Sequence, residues 1–478
     1  MQRFCYGSGL VIVYYFELTI PAFYINLDRM KKPGKNVAED DKRYLWHPFT
    51  QMKDWTAGDP LVIVRGKGSW LYDEAGNRYI DGVSSLWVNV HGHRKKEIDD
   101  AVIRQVRAIA HSTFLGLTHP PGVELAKRLV NIAPRGLSRV FYSDSGSTAV
   151  EIALKMAFQY WRLMGETGRT KFLCLKEAYH GDTIGAVSVG GMELFHETFR
   201  PLLFNTIKAP APYCYRCELG LEYPSCGLAC AEEAGRLMEA RSGELAGLVV
   251  EPVVQGAAGM IVQPPGYLKK LRIFCDRHGI LLIADEVATG FGRTGRMFAC
   301  QHEGVSPDIM CLAKGITGGY LPLAATLASE EIYTAFLGEY GEFRTFFHGH
   351  TYTGNPLACA AALANLDVFE AENTLEKLRY KTELLKEKLE KIVELPHVGE
   401  VRRKGFMAGI ELVADKDTRE PYPLTERRGI RVCEEARGMG VIIRPLGNVV
   451  VLMPPLSISE RELKKLAGVV YKAIKRAT

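Results

Sequence analysis

Between Val88 and Ala328 the chain alternates short, unbroken apolar runs with segments of helical periodicity. The runs are Val140-Phe141-Tyr142, Phe172-Leu173-Cys174-Leu175, Leu248-Val249-Val250, Ile280-Leu281-Leu282-Ile283-Ala284 and Ile309 to Ala313, and the helical segments include 149–164 and 268–278. A strand that is apolar at every position is buried on both faces, and helices between such strands supply the cover. The pattern therefore predicts an α/β fold with a central, mostly parallel sheet and flanking helices. Upstream, Val62-Ile63-Val64 and Trp70-Leu71-Tyr72, punctuated by Gly68, Gly76 and Gly82, predict short strands joined by turns. Downstream, 357–395 predicts one or two long helices, and Gly405 to Glu411 an apolar, glycine-flanked strand. The expected organisation is an extension outside the fold (1–29), then an N-terminal segment (30–87) that joins a C-terminal segment (356–478) in one smaller α+β domain. These surround a large domain over 88–355.

Gly9 to Tyr24 is apolar, but Glu17 and Pro21 interrupt it, and it falls short of the roughly 20 residues a bilayer span needs. Met30, followed by Lys31 and Lys32, is the expected start of the folded chain, and no membrane partner is expected. With 47% hydrophobic and 24% charged residues, the 478-residue chain has the composition of an ordinary globular protein. Sixty basic against 55 acidic residues leave +5 without a basic patch, which argues against a nucleic-acid partner. Eleven cysteines, an odd number, argue against a disulfide framework and for a reducing, cytoplasmic setting.

Three strand ends carry candidate chemistry, and in open parallel sheets ligands bind at the carboxyl ends of strands. After Val140-Phe141-Tyr142 comes Ser143-Asp144-Ser145-Gly146-Ser147-Thr148, which opens a helix, with Thr148 and Glu151 as the expected capping box. Free backbone N–H groups, hydroxyls and the positive end of a helix dipole make either a phosphate site or a plain polar helix start. After Ile280 to Ala284 comes Asp285-Glu286-Val287, whose carboxylate either caps a loop or pairs with a protonated ring nitrogen. After Ile309 to Ala313 comes Lys314, ahead of Gly315-Ile316-Thr317-Gly318-Gly319; it is either a surface lysine or a Schiff-base lysine activated by desolvation. A phosphate site, an acid and a lysine in that order suggest pyridoxal 5'-phosphate.

The run Asp285-Glu286-Val287-Ala288-Thr289-Gly290-Phe291-Gly292-Arg293-Thr294-Gly295, with Lys314-Gly315 downstream, resembles the signature of the class III aminotransferases. Further motifs extend the resemblance from about Arg43 to the C-terminus. They are Trp46-His47-Pro48-Phe49-Thr50, Asn89-Val90-His91-Gly92-His93, Ala178-Tyr179-His180-Gly181-Asp182-Thr183, His348 to Pro356 and Arg444-Pro445-Leu446-Gly447. They are similar to the branch of that family that aminates 8-amino-7-oxononanoate to 7,8-diaminononanoate in biotin synthesis. The resemblance implies a fold-type I transferase and a homodimer with shared active sites. It implies that Lys314 joins the cofactor aldehyde and shuttles the proton, that Asp285 pairs with the pyridine nitrogen, that Gly146 and Ser147 bind the phosphate and that Tyr179 stacks on the ring. Thr351, with His350 beside it, reaches the phosphate of the second subunit's cofactor. Phe49, Trp87, Tyr179 and Gly349 line the substrate, and Arg444 takes its carboxylate as a bidentate pair.

Two positions depart from that branch. Phe49 stands where members that use S-adenosylmethionine carry tyrosine, and Leu86-Trp87 where they carry Trp-Trp. The expected amino donor is S-adenosylmethionine, with lysine as the alternative; another ω-amino acid or ornithine-type class III activity is the further alternative. Cys214-x2-Cys217 and Cys226-x3-Cys230 offer four thiolates, but their spacing matches no zinc pattern, and free thiols are expected. A zinc-bearing, RNA-binding role lacks a basic stripe or RNA-binding motif to support it.

Overall fold

The computed structural model describes residues Val37–Thr478, so the 1–29 extension and Met30 lie outside the described residues. The chain divides into two compact units at Val62/Ile63. In the described part of the first, helices Val37–Tyr44 and Met52–Ala57 are joined by a turn gathered around one carboxylate. Asp41 takes the ring nitrogen of His47 at 2.9 Å and the indole N–H of Trp55 at 2.7 Å. Phe49 follows in the left-handed region (φ 50°).

The second unit is built on a seven-stranded sheet. We number its strands β1 (Leu137–Ser143), β2 (Lys171–Leu175), β3 (Ile207–Ala209), β4 (Leu245–Val250), β5 (Leu281–Asp285), β6 (Ile309–Leu312) and β7 (Ala324–Ser329). The spatial order is β1-β7-β6-β5-β4-β2-β3, and β7 alone is antiparallel to its neighbours. Every residue of β4 and β6 is buried, which is why these strands read as continuous apolar runs. Helices such as Gly146–Leu163 and Tyr267–His278 bring an apolar face onto the sheet, and their Ala149, Val150, Ala153, Leu268 and Leu271 are buried. The 357–395 segment is two helices, Pro356–Ala371 and Thr374–Val393, broken where Asn373 turns left-handed (φ 50°).

Three smaller sheets accompany the large one, the least of them the antiparallel pair Val254–Gln255 and Ile261–Val262. Ile63–Lys67, Trp70–Asp73 and Arg78–Asp81 form a meander whose last strand pairs in parallel with Val441–Ile442. Val398–Lys404, Met407–Asp415, Val449–Leu452 and Arg444–Leu446 form an antiparallel sheet with Met407–Asp415 inside it. Among the described residues no helix is long and apolar enough to cross a membrane.

Candidate active site

The carboxyl ends of β1, β2, β4, β5 and β6 open onto one cavity of about 440 Å³, whose lining includes Gly146, Ser147, Tyr179, Glu251, Asp285 and Lys314. The register explains the convergence. Val250 of β4 pairs with Ala284 of β5, so Glu251 and Asp285 leave neighbouring strands side by side. Asp285 pairs with Cys311 of β6, and Lys314 follows three residues later.

At the β1 exit the helix begins at Gly146, earlier than the periodicity places it. Its capping box is formed by Ser145 and Thr148, not by Thr148 and Glu151. Ser145 is free to cap because its own backbone is extended, whereas Thr148 already sits in the helix. Glu151 instead accepts the N–H groups of Gly185 (2.7 Å) and Ala186 (3.2 Å). Gly146 has no room for a side chain, since a Cβ there would stand 2.6 Å from Val287 Cγ1. Gly146 and Ser147 open this helix and line the cavity, the position at which a helix start can bind an anion.

Asp285 is buried, and its two oxygens are held separately. Oδ1 accepts the Val287 N–H at 3.0 Å, and Oδ2 meets His180 Nδ1 at 2.7 Å. His180 is itself buried, and its Nε2 has no hydrogen-bond partner among the described residues. Lys314 is half-buried in a left-handed conformation (φ 45°), with its Nζ 5.3 Å from the centre of the Trp87 ring. Burial holds its pKa below the ordinary lysine value, while the Asp285 and Glu251 carboxylates pull it back up. The loop that carries it is pinned from the helix Pro356–Ala371, where buried Asn365 donates to the carbonyls of Gly315 (3.0 Å) and Ile316 (3.1 Å).

Trp87 forms another wall. It ends a turn with left-handed Ser84 (φ 53°), Ser85 (φ 61°) and Trp87 (φ 65°), a conformation that non-glycine residues hold only when their surroundings impose it. Asp81 accepts the Ser85 N–H at 2.8 Å, Ser84 Oγ donates to the Met453 carbonyl at 2.7 Å, and buried Arg293 donates to Ser84 Oγ and to the Asn89 and Pro454 carbonyls. The Trp87 indole N–H has no hydrogen-bond partner among the described residues.

The other expected site residues are distributed as follows. His350 contacts Asp144, a lining residue, through Nδ1 at 2.7 Å. Gly349 and Thr351 are exposed, and neither lines the cavity. Arg444, on its short strand, does not line it either; its half-buried side chain has no hydrogen-bond or ion-pair partner among the described residues. Cys214, Cys217, Cys226 and Cys230 surround a separate cavity of about 20 Å³. Among the described residues no group of three or more His, Cys, Asp or Glu is placed to hold a metal ion. Sequence reasoning missed Glu251, His180 and Asn365. Glu251 had a usable signal, because it directly follows the apolar run Leu248-Val249-Val250, just as Asp285 follows its own.

Comparison with known proteins agrees with this geometry. The family model of the class III aminotransferases matches residues 52–474. The adenosylmethionine-8-amino-7-oxononanoate aminotransferase of Geobacter sulfurreducens is 60% identical over 439 residues, 92% of this chain and 97% of that protein. Its namesake in Nitratidesulfovibrio vulgaris is 62% identical over 436 residues, 91% of this chain and 80% of that protein. The crystal structure of the Methanocaldococcus jannaschii protein of the same name superimposes with a TM-score of 0.88 at 50% identity, covering 92% of this chain and 98% of that one. An (S)-enantioselective omega-transaminase from Thermomicrobium roseum gives the same TM-score at 39% identity, with the same coverage. With the sheet, the strand-end lysine and acid, and these relatives all in agreement, the chain belongs to the class III aminotransferases, enzymes of the fold-type I, pyridoxal phosphate-dependent kind.

Proposed function

We propose that this chain aminates 8-amino-7-oxononanoate to 7,8-diaminononanoate, with S-adenosylmethionine as amino donor, in biotin biosynthesis. The reading rests on the cavity that joins Lys314, Asp285 and the helix start at Gly146, taken with the name shared by the relatives in G. sulfurreducens and N. vulgaris.

The residues present fit pyridoxal phosphate. The helix start at Gly146 and Ser147, which lines the cavity, suits a phosphate, buried Asp285 suits a protonated ring nitrogen, and a lysine with a lowered pKa suits an aldehyde. When bound, the cofactor supplies an electron sink for negative charge on the substrate carbon. The protein supplies the rest. Gly146 and Ser147 N–H groups hold the phosphate. Asp285, oriented by His180, keeps the ring nitrogen protonated. Tyr179, its hydroxyl tethered to Asp182 at 2.8 Å, would stack on the ring. Lys314 Nζ would be the amine that holds the cofactor's aldehyde and the base that moves the proton at the substrate carbon. Trp87 would bound the substrate, Gly349 would lie against it, and Arg444 would receive its carboxylate.

Thr351 and His350 serve the phosphate of the second subunit in a homodimer. The exposed rings of Phe347 and Tyr352 on the same loop suit such an interface. The ten cysteines among the described residues are all free, which suits a reducing cytoplasm.

Lysine is the competing donor, because Phe49 and Leu86 remove a hydroxyl and a ring from the expected substrate walls. A half-reaction titration separates the donors: S-adenosylmethionine is expected to discharge the visible absorbance of the holoenzyme. Discharge by lysine and not by S-adenosylmethionine would overturn the donor assignment. Borohydride is expected to fix the cofactor on Lys314, and a Lys314→Ala protein to lack the visible band. A colourless wild-type protein that pyridoxal phosphate cannot reconstitute would sink the whole reading.

A further inference from the structure

Glu251 is a fully internal carboxylate that the chemistry above leaves without a task. It stands at the carboxyl end of β4, 4% exposed, among the residues lining the cavity. Each of its oxygens is committed to a different loop. Oε1 accepts the backbone N–H of Tyr179 at 3.0 Å, and Oε2 accepts the backbone N–H of Gly256 at 2.8 Å. The first loop carries the ring that faces the cofactor. The second passes under Trp87, since a Cβ on Gly256 would stand 3.4 Å from the Trp87 ring. Its backbone is anchored as well, because the Glu251 carbonyl accepts from Gln263 Nε2 at 2.7 Å. One carboxylate thus spaces the two aromatic walls of the site.

We propose that Glu251 is a positioning residue, which sets the placement of Tyr179 and Trp87 around the cofactor by holding the Tyr179 and Gly256 N–H groups at once. This rests on the reading of the cavity as a pyridoxal phosphate site. A carboxylate suits the task because both oxygens accept. A protonated acid or an amide turns one of them into a donor pointed at an N–H, and one loop is released.

The clamp is set to respond to pH near neutrality. Burial raises the Glu251 pKa to about 7; His180 works against that rise, Asp285 adds to it, and the two N–H groups again oppose it. The titratable groups facing it are His180 and Tyr179 from the loop after β2, Asp285 from β5 and Lys314 from the turn after β6. Above that pH the carboxylate holds both walls; below it the grip on one of them loosens.

The test compares holoenzymes of wild type, Glu251→Gln and Glu251→Asp. Two quantities are read: the dissociation constant of pyridoxal phosphate by equilibrium dialysis, and the visible circular dichroism of the bound cofactor as a function of pH. In the wild type the dichroism is expected to change through a step near pH 7. In Glu251→Gln that step is expected to vanish and the dissociation constant to rise about tenfold, the loss of one charge-assisted hydrogen bond. Glu251→Asp, which keeps the charge on a shorter arm, is expected to retain a step at a displaced pH. A step that persists unchanged in Glu251→Gln, or cofactor affinity within about twofold of wild type, overturns the proposal, as does a wild type with no step. If Glu251→Gln does not fold, the wild type and Glu251→Asp decide. A failure here differs from failure of the cofactor reading, because borohydride still fixes pyridoxal phosphate at Lys314 in the first case and not in the second.

Discussion

Gly181 touches Ser147 so closely that a single methyl group tests the phosphate site. Its backbone lies at φ +124°, outside the range other residues adopt readily, and a Cβ there would stand 2.1 Å from Ser147 Oγ, 2.6 Å from its Cβ and 2.8 Å from its Cα. The hydroxyl can rotate away, at the expense of the 3.2 Å bond it accepts from the Asp182 N–H. The Cβ and Cα cannot, and restoring ordinary carbon contact of about 3.5–4.0 Å demands that the two backbones part by about 1 Å. The helix resists, because Ala149, Val150, Ile152 and Ala153 fix it in the core without exposed surface. The 178–183 loop therefore yields and carries Tyr179 and His180 with it. Strain at the positive φ costs about 1–3 kcal/mol and overpacking about as much again. We expect Gly181→Ala to lower unfolding stability by about 2–4 kcal/mol. Cofactor affinity should fall about ten- to a hundredfold, through loss of one phosphate hydrogen bond and displacement of the Tyr179 ring. Equilibrium dialysis of the apoprotein against pyridoxal phosphate, with urea melts, measures both. Ser147→Ala serves as control, because it removes the hydroxyl and leaves the backbones where they are; it should weaken binding by less than about tenfold. Gly181→Ala protein that binds the cofactor within about twofold of wild type, with an unchanged unfolding midpoint, would show that the close approach does not shape the site.

Two further outcomes follow from the geometry. Arg444 has a half-buried guanidinium with no partner among the described residues, so Arg444→Lys should raise KM for the carboxylate-bearing substrate about tenfold with little change in kcat; equal KM values would dismiss bidentate recognition. His91 is held down to about 4 by burial, so as pH falls below 6.5 the unfolded chain takes up the proton first. Stability is therefore intact above 6.5 and declines down to about 4, by about 3 kcal/mol in all, and His91→Gln should flatten urea midpoints measured across that range.

Much of the site was legible because its parts sit on linear signals. Periodicity marks strands apolar on both faces, and the rule that ligands gather at strand ends then singles out Gly146, Asp285 and Lys314. The helix start was misplaced by a local ambiguity. Ser145 and Thr148 both have capping side chains, and the choice between them depends on which residue is extended, a matter settled by how β1 hands the chain over to the helix.

The sequence by itself determined the sheet, its chemistry and the family, because hydrophobic period and short motifs are encoded by neighbours along the chain. Tertiary structure alone decided the supports. The Glu251 clamp on Tyr179 spans 72 positions, the His180 contact with Asp285 spans 105, and Arg293 reaches Ser84 across 209. Such partners meet only once strand order and register are set. A buried polar group must find its hydrogen bond wherever the fold brings one within reach, and no local pattern announces where that will be.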